Sequence, residues 1–183
     1  EYMLRESAYI QERKVKYLRK RKKNSKKIKD PLYTTDDAEA ALELFQSHPY
    51  EERFEVSDGV EVVFHDAGHI LGSAIVEIFV HDKEKNQKQV VLFTGDLGRK
   101  NMPILRDPVQ VKRADYMISE CTYGNRFHES FFEAGKTLST VVKETAARGG
   151  KIIIPAFAVE RTQEIIYELH TLMNNGEIPE LSI

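Results

Sequence analysis

The side chains best suited to chemistry lie in three short stretches. The first, FHDAGHILGSA at residues 64–74, holds His65, Asp66 and His69 among the glycines Gly68 and Gly72. The second, GDLGR, sets Asp96 between Gly95 and Gly98, and the third, ECTYGNRFH, opens on Glu120. Imidazole and carboxylate are donors for zinc and related cations. A carboxylate has two oxygens, so Asp96 suits a bridge between two cations about 3.5–4 Å apart. The glycines around Asp96 would let backbone approach such ions, and Gly68 and Gly72 would allow a tight turn around His69. The same residues also have an ordinary use, with Asp96 capping a turn and His69 a buried, hydrogen-bonded imidazole. The four-residue spacing of His65 and His69 would align them on a helix, but Gly68 and the preceding VEVVF argue against one. Alternation instead leaves His65 at a strand end, facing solvent. Arg126 and His128 could touch a phosphate, and they suit an exposed loop equally well. Cys121 has no histidine or other base beside it and reads as a small packing residue.

Elements of two periods must position these groups. Residues 4–23 read as a helix with apolar positions at Leu4, Ala8, Val15 and Leu18, and 24–31 read as a linker. Thr34, followed by Asp36 and Asp37, is a helix-start signal for a second helix ending near Ser47. The period then shortens. ERFEV, VEVVF, SAIVEIFV and KQVVLFT have the lengths and alternation of strands. Ser57-Asp58-Gly59 predicts a hairpin turn, and residues 83–86 a polar turn. ADYMISE reads as a further strand, 131–148 as a helix stopped by Gly149-Gly150, KIIIP as a buried strand, and VERTQEIIYELHTLM as an amphipathic helix. His69, Asp96 and Glu120 each follow a strand. If those strands lie in one sheet, the three residues converge on one edge, where sites are usually built.

The bulk numbers exclude some classes. The chain has 183 residues, about one domain, and is 41% hydrophobic, enough for a core. No apolar run reaches the length of a membrane span, no signal-peptide pattern opens the chain, and no membrane partner is expected. One cysteine excludes an internal disulfide and a Cys-rich zinc site, and it fits a cytoplasmic setting. The net charge of −2 hides an asymmetry: residues 13–29 carry 11 basic side chains and no acidic one. Such a run, with Lys20, Arg21, Lys22 and Lys23 at its centre, suits either a polyanion such as RNA or simple solvation.

Together the stretches DAGHILGSA, FTGDLGR, SECTYGNRFH and IIIPAFAVERTQEIIYEL resemble the metallo-β-lactamase-fold nucleases with an inserted β-CASP domain. That family includes the cleavage and polyadenylation endonuclease and its bacterial and archaeal relatives. RESAYIQE and PLYTTDDAEAAL resemble the segment between the family's second and third motifs, so the likeness spans nearly the whole chain. It implies an α/β fold, the C-terminal part of an αββα sandwich. It implies His69 as a ligand of one zinc, and Asp96 as the bridge between two. It implies Glu120 as the acidic residue that pairs with a β-CASP histidine and so orients a proton donor. His65 falls where the family has no fixed ligand, and Glu160 where many relatives have glycine.

The family's HxHxDH motif does not occur among the 183 residues. The resemblance therefore implies an internal fragment, with residues 1–176 as a partial metallo-β-lactamase domain (a basic helical arm at about 1–30) and 177–183 opening a truncated β-CASP domain. The implied function is part of a zinc-dependent ribonuclease acting in RNA processing or decay, with Lys20, Arg21, Lys22, Lys23, Arg126 and His128 on the RNA. The fragment alone is expected to be inactive and to hold little zinc. Its uncovered strand faces would be hidden by a homodimer. A non-catalytic scaffold or RNA-binding relative, and a hydrolase of small esters or thioesters, are the alternatives. DNA is a narrower rival to RNA as substrate.

Overall fold

The computed structural model describes residues 2–21, 28–127 and 131–182. Lys22, Lys23 and His128 lie outside the described residues. The chain divides into two compact units, Glu1–Ser47 and His48–Ile183.

The first unit is a pair of helices, α1 (Tyr2–Arg21) and α2 (Thr35–Leu42). The apolar positions of α1 lie on its less exposed side, and Ala8 is fully buried. Arg5 forks onto the Glu39 carboxylate at 2.6 and 2.8 Å, and the Thr35 hydroxyl donates to Glu12 at 2.8 Å. Thr34 and Asp37 form a reciprocal capping box at the start of α2. This helix stops at Leu42, short of the expected Ser47. The amides of Leu44 and Phe45 turn back to the carbonyls of Ala41 and Leu42, three residues earlier. Leu44 and Phe45 are both exposed, so no apolar burial rewards a further helical turn.

The second unit is built on a mixed five-stranded sheet in the order β1-β2-β3-β4-β5. β1 (Arg53–Ser57), β2 (Val60–Asp66), β3 (Ala74–Asp82) and β4 (Gln87–Phe93) form an antiparallel meander, and β5 (Tyr116–Ile118) joins β4 in parallel. The β1–β2 turn falls at Gly59, whose φ is +74°. A Cβ there would lie 2.8 Å from the His81 carbonyl oxygen, so only glycine fits. Because β2, β4 and β5 point the same way, their carboxyl ends share one edge. Ala67, Ile75 and Leu92 pack beneath that edge, with Leu97, Val111 and Ala114 against them.

Two helices follow, α3 (Phe131–Ala147) and α4 (Arg161–Asn174). Val142 from α3 packs with Leu169 and Leu172 from α4, and Ile178 closes the cluster. Gly135 on α3 faces Glu168 of α4: a Cβ there would stand 2.5 Å from its carboxylate, the movable end of a flexible side chain.

Three further expectations change. KIIIP is not a buried strand. Residues 151–157 join no ladder, and Ile153 is 92% exposed. Strand propensity records packing against neighbours, and this run has no neighbouring strand to pair with. Cys121 is exposed, not a buried packing residue. His65 does not face solvent. It stands near the end of β2, as expected, but is buried, with carboxylates at both ring nitrogens: Glu51 at 2.9 Å from Nδ1 and Glu77 at 2.9 Å from Nε2. Among the described residues no helix is long and apolar enough to cross a membrane.

Candidate active site

The site begins with a backbone interlock. β2 ends at Asp66, whose carboxylate accepts the Gly68 amide at 2.8 Å. The turn that follows closes on Ser73: its hydroxyl oxygen accepts the amides of His69 and Ile70 at 3.1 and 3.2 Å, and its carbonyl accepts the Ala67 amide at 3.2 Å. The loop after β4 then docks on this turn. Gly98 donates its amide to the Ala67 carbonyl at 2.9 Å. A Cβ on Gly98 would lie 1.6 Å from the Gly68 carbonyl oxygen. A Cβ on Gly68, at φ +60°, would lie 2.6 Å from the Arg106 carbonyl oxygen. The glycines therefore serve backbone-on-backbone contact, a reason for glycine different from close approach to ions.

The interlock brings the side chains together. His69 Nε2 stands 3.9 Å from Asp96 Oδ2. Both line a cavity of about 300 Å³ together with Glu120 and Tyr123. Glu120 is held by its neighbours: Oε2 accepts the Thr122 amide at 3.0 Å and Oε1 accepts the Leu97 amide at 3.3 Å. Those bonds, the Thr122 one first, set its pKa below the ordinary glutamate value, with the nearby His69 adding to the shift. Glu120 is thus a carboxylate at neutral pH, an acceptor and not a proton donor. Arg126 is exposed, with its guanidinium 4.7 Å from the centre of the Tyr123 ring. Lys20 and Arg21 are exposed in the last turn of α1, in the other unit.

The first turn of α4 supplies residues the motifs did not single out. Arg161 and Glu164 line the same cavity, with Arg161 Nη1 donating to Glu164 Oε2 at 2.5 Å. The Glu164 side chain is 7% exposed, so the half-exposed guanidinium is anchored by a buried carboxylate. Immediately before it, Glu160 has φ 73° and ψ −65°, and the Arg161 amide bonds to the Val159 carbonyl at 3.0 Å. This is the rare, strained γ-turn. Glu160 is itself buried, and its Oε1 has no hydrogen-bond partner. A glutamate where the family resemblance implies glycine was the available signal, since glycine adopts this backbone without strain.

As a metal donor set the site is partial. Two ligands on one tetrahedral zinc, at bonds of about 2.0–2.1 Å, stand roughly 3.3 Å apart. The 3.9 Å between His69 and Asp96 is within a small side-chain rotation of that separation. Nitrogen and carboxylate oxygen are both zinc donors. Among the described residues, no group of three or more His, Cys, Asp or Glu could hold a metal ion. His69 and Asp96 are therefore a pair of candidate donors, short of a complete set among the described residues.

No family model matches the chain. Curated relatives do. Transcription termination factor FttA of Methanosarcina mazei is 41% identical over 73% of this chain and 21% of its own length. A ribonuclease of Thermus thermophilus is 34% identical over 80% of this chain and 32% of its own length. Endoribonuclease ysh1 of Schizosaccharomyces pombe is 33% identical over 81% of this chain and 19% of its own length. The chain spans about a fifth to a third of the length of these relatives. At this identity over most of its residues, the chain belongs to the β-CASP family of metallo-β-lactamase-fold ribonucleases.

Proposed function

We propose that these residues form part of the active site of a zinc-dependent enzyme that hydrolyses RNA phosphodiester bonds in RNA processing or decay, in a cytoplasmic setting. The observation that carries the reading is the meeting of His69, Asp96 and Glu120 on one cavity, with His69 and Asp96 3.9 Å apart. His69 and Asp96 would hold the zinc, His69 through an imidazole nitrogen and Asp96 through its carboxylate. Zinc held there would supply a water acidic enough to ionise near neutral pH. Glu120, held ionised by the Thr122 and Leu97 amides, orients a histidine that protonates the leaving oxygen. Arg161, anchored by Glu164, gives the cavity a fixed cation for phosphate oxygens. Arg126, beside Tyr123, offers a second at the rim. The names ribonuclease and endoribonuclease among the relatives favour this reading over a small-ester hydrolase. RNA is the partner, and a homodimer would cover the exposed residues of β5.

The test is RNA cleavage by the protein expressed from its complete reading frame. Asp96→Asn and His69→Ala are expected to abolish metal-dependent cleavage of labelled single-stranded RNA, and unchanged cleavage in Asp96→Asn would overturn the reading. Zinc wants about four ligands. The 183-residue chain alone is therefore expected to lose its zinc on dialysis and to cut no RNA. Stoichiometric zinc retained by that chain would overturn the two-ligand account.

A further inference from the structure

The solvent face of α1 alternates aromatic rings and guanidiniums. Tyr9, Arg13, Tyr17 and Arg21 follow at intervals of four residues. Each step advances about 6 Å along one side of a helix. The Arg13 guanidinium lies 5.5 Å from the Tyr9 ring centre, and that of Arg21 lies 5.3 Å from the Tyr17 ring centre. Each arginine also donates through Nη1 to the phenol oxygen of its tyrosine, at 3.3 and 2.5 Å. The two pairs repeat one geometry an eight-residue step apart. All four side chains are exposed, and Tyr9 and Tyr17 keep 49% and 55% of their surface in solvent.

The other side of α1 is already used. Leu4, Ala8, Val15 and Leu18 lie on it, and Glu12 there accepts the Thr35 hydroxyl. No acidic residue occurs from Arg13 to Lys29, and Lys16 and Lys20 flank the ladder. The free face therefore offers flat rings and dense positive charge, with Ile10 exposed beside them. Base stacking on aromatic rings, joined to a cationic track for the backbone, is how single-stranded nucleic acid is held without sequence preference. A duplex keeps its bases stacked on one another and would meet only the cations.

We propose that the Tyr9–Arg13–Tyr17–Arg21 face of α1 is a platform for single-stranded RNA, with the two rings stacking unpaired bases and the arginines and neighbouring lysines holding phosphates. It rests on RNA as the substrate class proposed above, and it adds a site made of residues other than those of the cavity, selective for unpaired strands. An acidic protein partner would use the cations but has no need of planar rings, on which unpaired bases stack.

The test is fluorescence anisotropy of a labelled 12-nucleotide single strand, and of a duplex of the same length, with the full chain. The single strand is expected to bind about tenfold tighter than the duplex. Tyr9→Leu/Tyr17→Leu should weaken single-strand binding by about tenfold or more, while Tyr9→Phe/Tyr17→Phe keeps the rings and restores it. Arg13→Gln/Arg21→Gln should lower the slope of log affinity against log salt by about 1.4, the value for two phosphates on a single strand. Circular dichroism confirms that each variant keeps its helices. Leucine variants that bind like the parent, equal affinity for strand and duplex, or no binding at all would each overturn the platform. The cleavage reading is judged separately, on the His69 and Asp96 variants.

Discussion

The loops around Ala67 and the first turn of α4 border the same cavity, and the chain on either side of that border is built in opposite ways. Around Ala67, amide after amide has a backbone or side-chain acceptor, and two glycines sit where no side chain would fit. Before α4, an apolar run stays out of the sheet, Glu160 occupies a strained turn, and one of its buried oxygens is unpartnered. One wall of the cavity is thus held by a closed set of satisfied groups. The other is held by an ion pair next to stored strain. A site can draw its precision from one side alone, with looser tolerance for change on the other.

Substitutions can break that contrast. The largest effect is expected from Gly98→Ala. Its Cβ would lie 1.6 Å from a backbone oxygen, a clash no rotamer relieves, and the loss should exceed about 4 kcal/mol. Gly72→Ala, with a φ of +87° but nothing within 4 Å, should cost only about 1–2 kcal/mol. Denaturant melts of the two compare interlock with mere backbone preference, and equal losses would refute the interlock. Next, Leu92→Ala beneath the site should cost about 2–5 kcal/mol. Ile153→Ala, at a position 92% exposed, should stay within about 0.5 kcal/mol. A large loss at Ile153 would mean that the run is packed in solution. Glu160→Gly should stabilise the chain by about 1–3 kcal/mol, through release of backbone strain, and a lower melting temperature would argue that Glu160 makes a needed contact.

The smallest effect concerns pH. Burial alone would push the His65 pKa down, but its bonds to Glu77 and Glu51 outweigh this and set it above the ordinary value. A raised pKa means that the folded chain holds the proton more tightly than the unfolded one. The stabilisation is therefore complete below the unfolded value of about 6.5 and disappears as pH rises through the folded value. Melting temperatures should fall from pH 6 towards pH 8.5, and His65→Gln should flatten that fall. An unchanged slope in the variant would assign the dependence to other groups.

The edge where His69, Asp96 and Glu120 meet was legible because β2, β4 and β5 have strong periodic patterns and polar groups directly after them. Local signals sufficed there, as they did for the Thr34 cap and the turn at Gly59. Long-range partners were not legible. His65 looked like the end of an alternating strand, yet its surroundings come from Glu51 before β1 and Glu77 on β3. The 151–155 run carries every local mark of a strand, and a strand exists only where another lies beside it. Arg161 reads in sequence as one more polar helix residue, and only the fold brings it to the cavity.

The amide of Gly98 faces the Ala67 carbonyl with no side chain between the two backbones. For that amide to meet water, the exit of β2 has to part from the exit of β4. Its hydrogen exchange should then follow opening of the antiparallel ladder, with the fraying of a surface loop too small a motion to release it. One backbone proton becomes a clock for how long the assembled site persists between openings.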